Sequence, residues 1–153
     1  MFGSFEPNIR TGVAIVNPQL QDVQVRLTPF DGNGGSVAPA KTLTLRAHSQ
    51  TSAFLDELIG GLPSGFEGSV LLEAASPVYA VSIRGTTNGQ GGFVMSALCM
   101  VDLNQMPSGT HYFPQVVVGG LYQTEFLTMS NGASAPQVSL FSTDGKPMTI
   151  PLQ

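Results

Sequence analysis

The stretch from Thr11 to Leu45, TGVAIVNPQLQDVQVRLTPFDGNGGSVAPAKTLTL, most constrains what this chain can fold into. It runs as an apolar strand closed at Asn17-Pro18, an alternating strand, an Asp-Gly turn and a second alternating strand. Proline lacks the ladder N–H and closes strands. Val23, Val25 and Leu27 alternate with Gln24, Arg26 and Thr28, the period-two pattern of a half-buried strand. Asp31-Gly-Asn-Gly-Gly35 supplies residues that tolerate positive φ in a turn. The same order of parts returns in weaker form over Glu125–Leu152, where Asn131 stands 114 positions after Asn17 and Asp144 stands 113 after Asp31. Such self-similarity implies a β module begun twice, the second time cut short.

The rest of the first copy continues in kind. AFLDELI, residues 53–59, places Phe54, Leu55 and Leu58 on one side of a short helix. Thr51 or Ser52 is expected to cap it and Gly60-Gly61 to stop it. Strands follow around Val70–Leu72 and from Val78 to Ile83. The next strand, Phe93–Leu103, is apolar on both faces, which predicts a central position. Seven short strands and one helical turn over 1–104 predict an all-β fold, an antiparallel β-sandwich of immunoglobulin-like type, although the Cys…Trp…Cys signature is absent. Residues 104–111 read as a linker. Residues 112–153 hold about four strands, too few to bury a core alone, so they are expected to pack on the first domain or on a neighbouring subunit.

GVAIVNP (12–18), the Val23–Gly32 strand and turn, FLDEL (54–58), FEGSV (66–70), PVYAVSIR (77–84) and YFPQVVVGGLYQT (112–124) together carry a resemblance. The chain resembles the tandem β-sandwich repeats of secreted or surface proteins of environmental bacteria. The resemblance covers most of the chain and implies a non-enzymatic spacer, adhesion or assembly module without a cofactor. FGSFEPNIR lacks the family's full YFPQ-type strand, and the second copy stops after about a third.

Charge narrows the partners. Charged residues make up only 10% of the chain, against roughly 25% in typical soluble domains. A surface this poor in charge suits contact with another copy through strand edges, giving an oligomer or filament. The net charge of −4 and six scattered basic residues offer no patch for nucleic acid. No apolar run reaches the ~18–20 residues of a membrane span. Residues 1–10 lack the basic and apolar regions of a secretory signal, so the chain is either intracellular or a mature or excised segment, and the resemblance to surface proteins implies the second, at an extracellular or cell-surface location.

No catalytic, cofactor or metal constellation emerges. His48 and His111 lack partners of the HxH or HExxH kind. Cys99, the single cysteine, sits in ALCMV as a small buried hydrophobe. Asp31-Gly-Asn33-Gly-Gly35 lacks the further oxygens and closing Glu of a calcium loop and reads as a turn. No serine has a nucleophile-elbow context. Asp56 and Glu57 are adjacent and point apart, so they do not make a glycosidase pair. A structural ion pair between Arg84 and Asp56 or Glu57, fixing helix to sheet, is the expected use of these charges. Tyr79, Tyr112 and Tyr122 are the weaker alternative, an aromatic platform for carbohydrate or another ligand, though the chain has no Trp to anchor it.

Overall fold

A computed structural model describes residues 1–98, 100–105, 109–117, 124, 126 and 137–149. The chain divides into two compact units, Met1–His111 and Tyr112–Gln153. Cys99, Tyr122 and Asn131 lie outside the described residues.

Among the described residues of the first unit every strand pairing is antiparallel, and the remaining elements are one turn of helix and a 3-10 turn at Leu103–Gln105. Eight strands are described in it, not seven: β1 (Phe2–Glu6), β2 (Ile9–Val16), β3 (Val23–Phe30), β4 (Lys41–Leu45), β5 (Gln50–Phe54), β6 (Phe66–Ala74), β7 (Tyr79–Thr87) and β8 (Phe93–Leu98). Hydrogen bonds connect them in the order β4-β3-β6-β1-β2-β7-β8, with β5 also beside β2. β2 is where this sheet turns over. On one side it has β7 along its whole length, Ile9 opposite Thr86 through Val16 opposite Tyr79. On the other, Ile9 and Arg10 pair with β1, and Gly12–Val16 pair with β5. One layer is thus β4-β3-β6-β1 and the other β5-β2-β7-β8.

The core lies between these layers. Val23, Val25 and Leu27 of β3 and Leu45 of β4 meet Val13 and Ile15 of β2, with Phe66 and Val70 of β6. The alternation along β3 is therefore realised: its odd positions are buried, and Gln24 and Arg26 are exposed. β3 also runs on through Pro29 to Phe30. The proline is tolerated because β4 pairs only with Val23–Leu27, so the missing N–H falls past that ladder. β1 was not foreseen in Phe2-Gly-Ser-Phe-Glu6. It needs glycine at position 3, where a Cβ would meet Leu55 Cδ1 at 2.7 Å.

The helix is shorter than AFLDELI suggested. α1 spans Leu55–Leu58, while Ala53 and Phe54 belong to β5. Thr51 and Ser52 pair with Ile15 and Ala14 in the ladder and do not cap it. Glu57 caps it instead, its Oε2 accepting the Phe54 N–H at 3.2 Å. Leu55 and Ile59 are fully buried, so this turn closes one end of the core.

A second correction concerns β8. Phe93–Leu98 is not central: among the described residues it pairs with β7 alone. Phe93, Val94 and Met95 are 53%, 59% and 65% exposed.

One polar side chain is wholly buried at the opposite end of β2. Asn17 Nδ2 donates to the carbonyls of Leu45, Arg46 and Gln21 at 3.0, 2.9 and 2.9 Å. Its Oδ1 accepts the Gln19 N–H at 2.9 Å, and its own N–H donates to the Ser49 carbonyl. The Asn17-Pro18 turn is therefore a hub joining β2, β4 and the 46–49 turn. His48 adopts a left-handed φ of 52° in that turn.

The same hairpin loop is built at three places. In Asp31–Gly35 the first N–H donates to the fifth carbonyl, the fourth N–H to the first carbonyl, and Asp31 Oδ1 accepts from Asn33 and Gly35. Asn88–Gly92 repeats this with Asn88 Oδ1, and Ser142–Lys146 repeats the backbone bonds with Ser142 Oγ. The fourth residue is glycine each time, at φ of 82°, 79° and 79° for Gly34, Gly91 and Gly145. The third loop joins β9 (Leu140–Phe141) to β10 (Pro147–Met148) in the second unit. There Lys146, and after it Ser142, holds the Asp144 carboxyl below its usual range. Elsewhere in that unit Phe113 meets Phe126 edge-on, centroids 5.1 Å apart.

Candidate interaction surface

Two neighbouring features of the β5-β2-β7-β8 layer stand out, one charged and one apolar. The charged one follows from register. Gly12 lies opposite Phe54, so the chain leaving β5 as α1 passes beside Arg10, two residues back along β2. Arg10 Nε and Nη2 donate to Asp56 Oδ1 and Oδ2 at 3.2 and 2.6 Å, a bidentate grip, and Nη2 reaches Glu57 Oε1 at 3.0 Å. The guanidinium lies 3.9 Å from the centroid of the Phe54 ring. Hydrogen bonding to Asp56 pushes its pKa above the ordinary arginine value. The carboxylates expected to tie helix to sheet do so, but the cation they hold is Arg10, in the place the sequence reading gave to Arg84. Arg84 stands half-buried in β7, opposite Thr11 of β2 and Ser96 of β8. With Arg10 and Asp56 side chains 34% and 17% exposed, the pair is partly screened by water.

The apolar feature is the layer's outer face. Residues directly opposite in an antiparallel ladder share a face. Thr11, Val13 and Ile15 of β2 are buried, so Gly12, Ala14 and Val16 face outward, and with them Ile83, Val81 and Tyr79 of β7. Ile83 and Gly85 bring Ala97 and Met95 of β8 onto the same face. The Phe93 ring lies over Gly85 and occupies the space a Cβ there would need. The other layer presents the opposite character, with Gln24, Arg26 and Thr42 outward from β3 and β4. One side of the unit is dressed for water, and the other carries aliphatic, sulfur and aromatic groups with Arg10 at its margin.

Tyr79 belongs to this face and is 73% exposed. Tyr112 is exposed in the second unit. His48 and His111 are both exposed. Asp31 spends its Oδ1 on its own loop, the turn role read from the sequence. Among the described residues, no group of three or more His, Cys, Asp or Glu side chains is placed to hold a metal ion. No helix among them is long and apolar enough to cross a membrane. Sequence reasoning missed the outer face because Val16, Tyr79 and Val81 look like core until pairing shows Val13, Ile15 and Ser82 on the inner side. The signal available was the charge-free run from Phe93 to Leu98.

No family model matches the chain, and no curated protein matches it. A crystal structure of Thermotoga maritima 1070 is similar at a TM-score of 0.53 and 17% identity, over 63% of this chain and 87% of that one. A likeness at that identity is one of fold.

Proposed function

We propose that this chain is a structural module that works by self-association, a non-enzymatic β-sandwich of an assembly or adhesive layer at or outside the cell surface. The observation that carries the reading is β8, an exposed strand with apolar side chains on both faces. Soluble β proteins normally blunt such a strand with charge, proline or a covering element. Low charge over the whole chain supports the same reading, since few like charges oppose contact between copies. The pairing supports an immunoglobulin-like sandwich: β6 lies between β1 and β3, and β7 between β2 and β8. Those are the neighbour relations of strands B-E-D and C-F-G in that fold, with no counterpart of strand A among the described residues. Sedimentation of the full chain across a wide concentration range tests the reading. Mass rising to a defined oligomer is expected, and a monomer at every concentration would reject it.

Tyr79, flanked by Val16 and Val81, supports a second reading as a carbohydrate-binding module. Tyrosine fluorescence titrated with soluble oligosaccharides tests it, and a signal unchanged by Tyr79→Ala would reject it.

A further inference from the structure

We propose that β8 pairs antiparallel with β8 of a second copy, the two-fold axis passing beside Met95. The proposal rests on the self-association reading above and names its surface.

The direction of the open ladder can be worked out from the hairpin. The Asn88 N–H donates to the Gly92 carbonyl, so residues 88 and 92 bond across the hairpin. Thr87, one step on, turns its N–H the other way, to the Asn8 carbonyl at 2.8 Å. Hydrogen-bonded and non-bonded pairs alternate along an antiparallel ladder. With Thr86 opposite Val94 and Arg84 opposite Ser96, residues 94, 96 and 98 bond to β7. Phe93, Met95 and Ala97 then point their N–H and C=O groups away from it, towards an edge that no other described strand pairs with.

Three open edges are described in this unit, and they are not equivalent. β4 carries Lys41, the residue type that guards strand edges. β5 runs directly into α1. β8 reads FVMSAL and has no charge, proline or glycine. Its lack of charge makes a second copy an acceptable partner, because nothing on the strand repels itself. A two-fold axis normal to the sheet keeps outer-face residues on the outer face, so odd residues meet odd residues. Centring it on Met95 sets Met95 opposite Met95 and Phe93 opposite Ala97, and engages all the outward ladder groups of Phe93, Met95 and Ala97 on both strands. The pairing sets the two outer faces side by side, so Tyr79, Val81 and Met95 of both copies form one continuous apolar surface.

The test is the mass of the full-length chain in solution, with circular dichroism as the check on folding. Met95→Pro removes an outward N–H and leaves the β7 ladder intact. It is expected to weaken association by roughly tenfold or more, while Leu20→Asp, which removes an exposed apolar residue elsewhere, leaves it unchanged. Met95→Lys and Met95→Glu are each expected to be monomeric, because like charges then face each other at the axis. Mixing those two proteins is expected to restore a dimer. This decides the matter even where Met95→Pro disturbs the fold. An oligomer indifferent to all three Met95 substitutions would overturn the β8 edge and leave self-association standing. A wild-type monomer at every concentration would overturn both.

Discussion

Replacing Asn17 tests whether the buried turn hub organises one end of the sandwich. The Asn17 amide supplies two N–H groups shared among three carbonyls, and its oxygen takes the Gln19 N–H. A net hydrogen bond is worth about 1 kcal/mol, and a buried group left without a partner costs about 1–3. Asn17→Ala loses what both amide N–H groups donate and one accepted bond, and takes the side-chain donor from the buried Leu45 carbonyl, which stands opposite Val23 in the β3–β4 ladder. Water can reach the Gln21 and Arg46 carbonyls, which are only part-buried. The expected loss is about 3 kcal/mol, a large share of the roughly 5–15 kcal/mol that holds a domain folded. Asn17→Asp is expected to cost more, because a carboxylate oxygen then faces three carbonyl oxygens. Its cost also depends on pH. With no donors around that oxygen, the folded-state pKa rises above the unfolded value of about 3.9. Between those two values the folded state binds more protons than the unfolded one, so the stability of this variant falls as pH rises. Urea denaturation followed by far-UV circular dichroism at several pH values between about 3 and 7 measures both effects. A loss below about 1 kcal/mol for Asn17→Ala would refute the hub, and an Asn17→Asp deficit flat across that range would refute the electrostatic reasoning.

Gly68→Ala is expected to destabilise by more than about 3 kcal/mol, since the new Cβ would collide with the Phe30 carbonyl of the paired strand β3; Gly3→Ala should cost less, its nearest obstacle being a terminal methyl of the Leu55 side chain and not backbone. Urea midpoints rank the two, and equal losses would contradict the distinction between backbone and side-chain obstacles. Arg10→Ala removes the bidentate grip on Asp56 and the cover over Phe54, for an expected loss of about 1–2 kcal/mol, and Arg10→Lys should fall between it and wild type because lysine cannot bridge both oxygens. Thermal melts of the three proteins check this order. Ser82→Ala should leave stability within about 0.5 kcal/mol or raise it, because the buried Ser82 Oγ has no hydrogen-bond partner among the described residues. A clear loss in the same melts would show a partner for that hydroxyl.

What could be read from the sequence was local. The alternation of β3, the Asp31–Gly35 turn and the helical turn at Leu55–Leu58 all depend on residues a few positions apart, and these hold, with the helix trimmed. What escaped depends on register between distant strands. Asp56 and Glu57 were identified as the anchoring acids, yet choosing Arg10 over Arg84 requires knowing that Gly12 meets Phe54. Asn17 was legible as a turn residue, but its carbonyl partners come from β4 and the turn beyond it. β8 was misplaced because an apolar run on both faces usually signals burial by neighbouring strands, and here it marks a strand exposed on both faces. β1 was missed because Gly3 and Ser4 have weak strand propensity, and packing under Leu55 overrides it.

The pairing of β2 with β7 also sets a timetable for synthesis. Val13 must wait for Ser82, roughly 70 residues later, before the second layer gains its central ladder. At about 5–20 residues per second, a ribosome takes several seconds to deliver that partner. Throughout that interval the nascent β2 carries its Val-Ala-Ile-Val run with β1 and β5 able to cover only one of its two edges. The growing chain thus passes through a state that any other copy nearby can intercept, and crowding of translating ribosomes on one message would make interception more frequent.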